Sequence, residues 1–198
     1  MCFDERTSWI TFVLGATFCV FNIVYFKTVS VTIVSVLFLF TLLMQLFEGL
    51  AWRTQNRKTS KLHFWATQGA LIANVMQPIV VGMLCLALLG GSTRVRTFAI
   101  LLMGAYMMWL IWNLNNSPAF TVLTPKEGCT HLNLAWWDSF SKNMKGVNGA
   151  LPYLICLIGV IVLLLRPMDL MIFELAIILI TLLISSVFYS CGVGSMWC

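Results

Sequence analysis

The chain has 198 residues, of which 60% are hydrophobic and only 10% are charged, and its formal net charge is +5. Average soluble domains carry about 25% charged residues, so this chain has too few charges to cover a soluble globule of its size. The basic residues stand in short segments between apolar runs and form no single patch, which argues against nucleic-acid binding and indicates an integral membrane protein.

Long apolar runs account for most of the sequence. A membrane span needs about 20 mostly apolar residues to cross about 30 Å of hydrocarbon. Six runs suit spans: 8–26, 29–52, 62–89, 97–112, 150–165 and 170–189. The N-terminus holds two acids and lacks the basic start of a cleavable signal peptide, so the first run is expected to be a retained span. We predict an all-α protein with one integral membrane domain over 1–198, a transmembrane helical bundle of six spans whose partner is the lipid bilayer.

Six spans place both termini, the 52–62 loop and the long 113–149 loop on one side of the membrane, here called face A. The opposite side, face B, carries three short turns. Eight of the twelve Lys and Arg residues fall on face A, so the positive-inside rule favours a cytosolic face A. The long loop contains an amphipathic stretch, 132–140, which is too short to span. It is expected to lie in the interface, or to fold over the bundle as a lid.

The second span contains a carboxylate in an otherwise apolar helix. At 100° per residue, Gln45, Glu48 and Trp52 fall within about 60° of one another on one narrow stripe. Ionisable residues inside spans usually face a protein interior or a water-filled cavity, so Glu48 is a candidate site residue. The alternative is that Glu48, close to the end of its span, reaches the interface and pairs with Arg53 or Lys61.

The third span supplies amide side chains for the same site. Asn74 and Gln77 share one helical face. Pro78 has no amide hydrogen and cannot bond the carbonyl of Asn74, so a kink is predicted beside these side chains. Two interpretations stay open: the amides form a polar pocket, or they only hold helices together.

All eight tryptophans map to face A. They are Trp9, Trp52, Trp65, Trp109, Trp112, Trp136, Trp137 and Trp197. An aromatic belt at the lipid headgroups would explain them, but a belt normally occurs at both interfaces. The alternative is an aromatic-walled cavity that opens on face A.

Cysteines also gather on face A. Four of the seven lie there: Cys2, Cys129, Cys191 and Cys198. They could form disulfides, which requires a non-cytosolic face A and conflicts with the charge rule. They could remain free thiols, or bind a metal, for which Cys129 and His131 are only weak candidates because no close Cys-x-x-Cys pair exists. The other three, Cys19, Cys85 and Cys156, fall within spans and are expected to be small packing residues.

Several short motifs together resemble a known group. They are the start Met1-Cys2, Glu48, the pair Gln77-Pro78, Cys129 followed by Ala135-Trp136-Trp137-Asp138, and Trp197-Cys198. In these motifs the chain is similar to a family of uncharacterised polytopic membrane proteins from bacteria and large DNA viruses of algae and protists. Relatives have a seventh apolar segment after the Trp-Cys pair, so this chain would be a six-span version. The resemblance implies that the face A cysteines matter together; it assigns no activity, and the cofactor is unknown.

Several functional classes lack their signatures. No predicted span holds the lysine that a retinal protein needs, there are only two histidines, and phosphate-loop, nucleophile-elbow and potassium-filter motifs do not occur.

The leading hypothesis is a protein that binds or transports a small molecule or ion through a polar, Trp-lined cavity on face A. Glu48 would be its charged group, Gln45, Asn74 and Gln77 its hydrogen-bonding groups, and Asp138 would sit on the lid. The alternative is a non-catalytic structural or assembly protein of a viral or cellular membrane, held as a homo-oligomer by cysteine pairing. An enzyme that uses a face A thiol or metal is the third hypothesis.

Overall fold

The computed structural model describes residues 4–54, 60–116 and 151–188, and every regular element in these ranges is an α-helix. The predicted all-α class is confirmed there. The helices, numbered in chain order, are α1 (Glu5–Phe26), α2 (Val29–Arg53), α3 (Lys61–Val75), α4 (Gln77–Leu88), α5 (Thr93–Asn116), α6 (Leu151–Leu164) and α7 (Met168–Phe188).

Polar residues set where the first helices begin. Asp4 caps α1: its carboxylate accepts hydrogen bonds from the backbone amide of Thr7 at 2.7 Å and from the Thr7 hydroxyl at 2.8 Å. The amide hydrogen bond is the largest cause of a lowered pKa for Asp4. Thr28, Ser60 and Ser92 accept equivalent bonds at the starts of α2, α3 and α5. Each side chain satisfies an amide that the first helical turn leaves without a partner.

Length and composition mark three to four of the helices as membrane spans. Among the described residues, α1, α2 and α5 are each long and apolar enough, and α3 with α4 makes a fourth if the pair counts as one span. The axes of α3 and α4 differ by 51° across a break at Met76. Helix α6 has 14 residues and is about 21 Å long, shorter than the roughly 30 Å of a hydrocarbon core.

Over two of the predicted spans the helices have other bounds than the spans. The run 62–89 forms two helices, because the chain leaves helical geometry just before Pro78. The fourth span, predicted as 97–112, is part of a longer helix of 24 residues that begins at Thr93. Arg94 and Arg96 lie in its first turn with exposed side chains, so basic residues did not mark its boundary.

The helices pack in an order that follows the chain. Helix α1 packs on α2, α2 also packs on α3 and α4, and α4 packs on α5 and α6; α7 lies against α6. Glycines allow the closest approaches. A Cβ on Gly49 would lie 3.1 Å from Trp9 Cε2, and the Phe47 ring occupies the space that a Cβ on Gly69 would need. These contacts bring the start of α1, the end of α2 and the start of α3 together at the end of the bundle that corresponds to face A.

The two halves of the bundle bury different kinds of side chain. The half near the α6–α7 turn is filled mainly by apolar residues of α2, α4, α5 and α6, such as Ile33, Val81 and Val160. Apart from Ser35 and Glu174, the buried polar side chains lie in the middle of the bundle or in the face A half. We therefore look for a candidate site in the middle and the face A half of the bundle.

Candidate functional site

Helix α2 buries its carboxylate completely. Glu48 has no exposed surface, and Gln45, one turn earlier, is 2% exposed. Trp52 is half-buried, and its indole nitrogen is covered. The predicted stripe therefore faces the protein interior. The Glu48 carboxylate lies inside the bundle, whereas the side chains of Arg53 and Lys61, with which the alternative pairs it, are exposed.

Two contacts fix the register of α2 and α3. Near the middle of the bundle, Asn74 Nδ2 donates to Met44 Sδ at 3.3 Å. Further along, the Phe47 ring packs against Gly69. These pairs run in opposite directions along the two helices, as antiparallel packing requires. The register places Glu48 at the level of residues 68–70, roughly one to one and a half turns of helix towards face A from Asn74.

The register continues to the face A end, where Thr54 Oγ1 and His63 Nδ1 lie 3.0 Å apart. His63 is 1% exposed, and its backbone carbonyl accepts the hydroxyl of the buried Thr67. Sequence reasoning did not select His63 as a site residue. The available signal was a lone histidine in the first turn of an apolar helix, directly after a basic loop. Its partner, nine residues earlier across the loop, could not be read from periodicity.

At the break between α3 and α4, backbone groups inside the bundle lose their helical hydrogen bonds. A tyrosine hydroxyl replaces one of these bonds. The amide of Ile79, which would bond Val75 in a continuous helix, donates to Met76 at 3.1 Å. The Val75 carbonyl instead accepts the hydroxyl of Tyr106 on α5 at 2.7 Å. The kink predicted from Pro78 is confirmed, and the structure adds Tyr106 as the residue that satisfies it.

Gln77, the first residue of α4, is 7% exposed and joins a second tyrosine. Its Oε1 accepts the hydroxyl of Tyr153 on α6 at 2.5 Å. The rings of Tyr106 and Tyr153 meet edge to face, with centroids 6.4 Å apart. The structure thus brings Gln45, Glu48 and Asn74 into the α2–α3 interface and places Gln77 slightly deeper, between α4 and α6.

We call Gln45, Glu48, Asn74 and Gln77 the polar layer. Some buried polar atoms of this layer, and of its neighbours towards face A, have no hydrogen-bond partner among the described residues. They include Gln45 Oε1, Trp52 Nε1, Gln77 Nε2 and Asn113 Oδ1. Asn113, near the end of α5, is fully buried and donates its Nδ2 to the Trp109 carbonyl at 2.9 Å. Buried polar groups are normally hydrogen-bonded, so these atoms have hydrogen-bonding capacity that a polar ligand or water could use.

The described tryptophans divide into two groups. Trp65 and Trp112 are 66% and 54% exposed, as expected for side chains in a belt. Trp9, Trp52 and Trp109 are half-buried against the bundle. Trp9 lies against Gly49 of α2 and Trp109 stacks on Tyr106, so the half-buried group lies near the polar layer.

In the described ranges the basic side chains are exposed, and two carboxylates are buried. All their Lys and Arg side chains are exposed: Arg6, Lys27, Arg53, Lys61, Arg94, Arg96 and Arg166. The two carboxylates in the helices that are fully or nearly buried are Glu48 and Glu174. Glu174 is the seventh residue of α7, beyond the first turn, so it does not cap the start of that helix.

The remaining predicted residues lie outside the described ranges. They are Cys2, Cys129, His131, Asp138, Cys191 and Cys198. Within the described ranges, Cys19, Cys85 and Cys156 are buried free thiols, as expected for packing residues. No group of three or more His, Cys, Asp or Glu side chains suited to a metal occurs in that part of the chain.

Comparison of the chain with protein-family models, with curated proteins and with solved structures finds no match. The resemblance suggested by the short motifs stays a prediction, and the function has to be inferred from the residues of the polar layer.

Proposed function

We propose that this protein binds or transports a small molecule or ion, and that the polar layer on α2, α3 and α4 forms its site. The observation that carries this proposal is the complete burial of Glu48 beside Gln45 and Asn74 in an otherwise apolar bundle. Burying a carboxylate costs several kcal/mol even when it is compensated, so such a residue in a membrane helix is usually retained for function.

The proposal includes the full membrane topology. We propose six spans, with the α3–α4 pair as the third and with α6 and α7 as the fifth and sixth. The burial of α6 residues such as Val160 and Ile161 and the 21-residue length of α7 support this count. Both termini then lie on face A, which the distribution of Lys and Arg favours as the cytosolic side.

The cavity would open on face A. Trp9, Trp52 and Trp109 would form its wall, since each is half-buried next to the polar layer. Asp138 would belong to a lid formed by the long loop. Gln45 Oε1 and Gln77 Nε2, a buried acceptor and a buried donor without partners among the described residues, would contact the ligand.

The test is flux or binding in liposomes that contain the purified protein, over a panel of alkali cations, protons, small carboxylates and small amines. Glu48→Gln keeps the size of the side chain and removes its charge, and Asn74→Leu removes the amide. Both are expected to reduce the signal of the transported or bound species at least tenfold. Gln68→Leu, a half-buried glutamine on α3, is the control and should retain the signal. If both site variants leave every flux and binding signal unchanged, the proposal is wrong.

The assembly hypothesis makes a different prediction. It would be favoured by a Glu48 that faces lipid, and Glu48 has no exposed surface. The broad apolar surface of α1, where Phe18 and Phe21 are 64% and 54% exposed, is the feature that would suit contact with a second copy. Cysteine-dependent oligomers in the membrane, together with no ligand response, would favour assembly over transport.

A further inference from the structure

Two short helices begin side by side in the middle of the bundle. Helix α4 has 12 residues and α6 has 14, so they are about 18 and 21 Å long. Both carry proline as the second residue, Pro78 in α4 and Pro152 in α6, a position that proline favours because the first turn needs no amide donor.

These two helices are parallel. Gln77 near the start of α4 bonds Tyr153 near the start of α6. Five residues further along α4, a Cβ on Gly82 would lie 3.2 Å from Val160 Cγ1, seven residues further along α6. Because both contacts advance in the same direction, the two N-termini point together towards face A, into the polar layer.

Parallel N-termini at one level add their positive potentials, each equivalent to roughly half an elementary charge. The C-terminal end of α3 opposes this field at α4. That opposition is reduced because the Val75 carbonyl accepts the Tyr106 hydroxyl and because α3 is inclined by 51° to α4. Paired short or broken helices whose N-termini meet at mid-membrane are typical of transporter sites for anionic groups.

A side chain supplies the direct donor. Pro78 has no amide, and the amides of Ile79 and Val80 both donate to the Met76 carbonyl at 3.1 and 3.0 Å, so the backbone of α4 offers little. Gln77 is more than nine-tenths buried, and its Nε2 has no hydrogen-bond partner among the described residues. The Tyr153 hydroxyl on Oε1 fixes the amide, which leaves Nε2 as a donor between the two N-termini.

We infer that the ligand of this protein carries a carboxylate, bound by Gln77 Nε2 in the field of the α4 and α6 N-termini. The inference rests on the proposed function and names its ligand class. Tyr153 is a positioning residue that holds the Gln77 amide. The α2–α3 register separates Glu48 from the level of Gln77 by seven to nine residues, or roughly 11–13 Å along the axis, so the carboxylate need not meet Glu48. A positive group on the same ligand would point towards Glu48.

The test uses the full-length protein in lipid nanodiscs with sodium acetate as the carboxylate probe and methylammonium chloride as the cation probe, both against sodium chloride. Binding is followed by saturation-transfer NMR. Acetate is expected to bind saturably and methylammonium not to compete. Gln77→Glu keeps an oxygen for the Tyr153 hydroxyl and replaces the donor by a carboxylate, so acetate binding should weaken by about tenfold or more. Gln68→Glu on α3 is the control and should bind acetate as the wild type does.

Tyr153→Phe provides a second measurement that leaves Gln77 intact. Freeing the amide should weaken acetate binding several-fold. If Gln77→Glu does not fold, Tyr153→Phe is the variant that tests the inference. Equal acetate binding in wild type and Gln77→Glu, no acetate binding at all, or displacement of acetate by methylammonium would overturn the inference. If acetate fails while another ligand binds in a Glu48-dependent way, the inference is wrong and the proposed function stands.

Discussion

Removing the Tyr106 hydroxyl tests whether the helix break is held as the structure indicates. Tyr106 is 3% exposed, and its hydroxyl is 2.7 Å from the Val75 carbonyl. Tyr106→Phe keeps the ring and leaves that carbonyl without its donor. The carbonyl has no helical replacement, because the amide of Ile79 is bonded to Met76.

The expected loss of stability follows from these contacts. A buried group left unsatisfied costs about 1–3 kcal/mol, while side-chain hydrogen bonds in membrane proteins average about 0.6 and reach about 1.7 kcal/mol. Since no other donor to this carbonyl occurs among the described residues, we expect a value near the upper end, about 1–2 kcal/mol. For a chain of this length that corresponds to a fall in Tm of roughly 2–8 °C.

The measurement is thermal unfolding of the purified protein in one detergent. Tyr25→Phe is the matched control, because Tyr25 is 69% exposed, and it should change Tm by less than about 1 °C. If Tyr106→Phe unfolds at the same temperature as the control, the hydroxyl does not hold the break and the account of the α3–α4 junction fails.

Two other substitutions test the α2–α3 pairing that positions Glu48. Gly69→Ala should lower stability by about 1–3 kcal/mol, because a ring from α2 occupies the space of the new Cβ. Gly104→Ala is the control, because a Cβ at that position has no neighbour within 4 Å, and it should be neutral or raise stability by up to about 1 kcal/mol. Equal Tm values for Gly69→Ala and Gly104→Ala would contradict the packing of α2 on α3. Thr54→Val removes the buried hydroxyl that contacts the histidine of α3 and should cost about 1 kcal/mol. The exposed Thr97→Val is its control, and a loss no larger than that of the control would show that the contact does not stabilise the hairpin.

Most helix boundaries could be predicted because they depend on local chemistry. Thr28 caps α2 where the prediction placed its start, and Gly90 and Gly91 follow α4 with φ of 73° and 119°, a region that favours glycine. Helix α5 begins at Thr93, before the predicted span 97–112, and includes Arg94 and Arg96. A helix end in water accepts basic residues readily, so charge alone does not end a helix.

The site was predictable only where one helix determines it. Periodicity alone was enough to place Gln45 and Glu48 on one stripe, and the structure buries both. The roles of Tyr106 and Tyr153 depend on contacts with residues 31 and 76 positions away, which no local pattern encodes. The same holds for the parallel arrangement of α4 and α6, although the proline at the second position of each was visible in the sequence.

The proposed function is tested most directly by comparing wild type and Glu48→Gln in the same liposomes, over the panel of cations, protons, carboxylates and amines. The account predicts at least one species whose flux or binding depends on the protein and falls at least tenfold in Glu48→Gln, while Gln68→Leu retains it. A protein-dependent signal that Glu48→Gln leaves unchanged would contradict the assignment of Glu48 to the site.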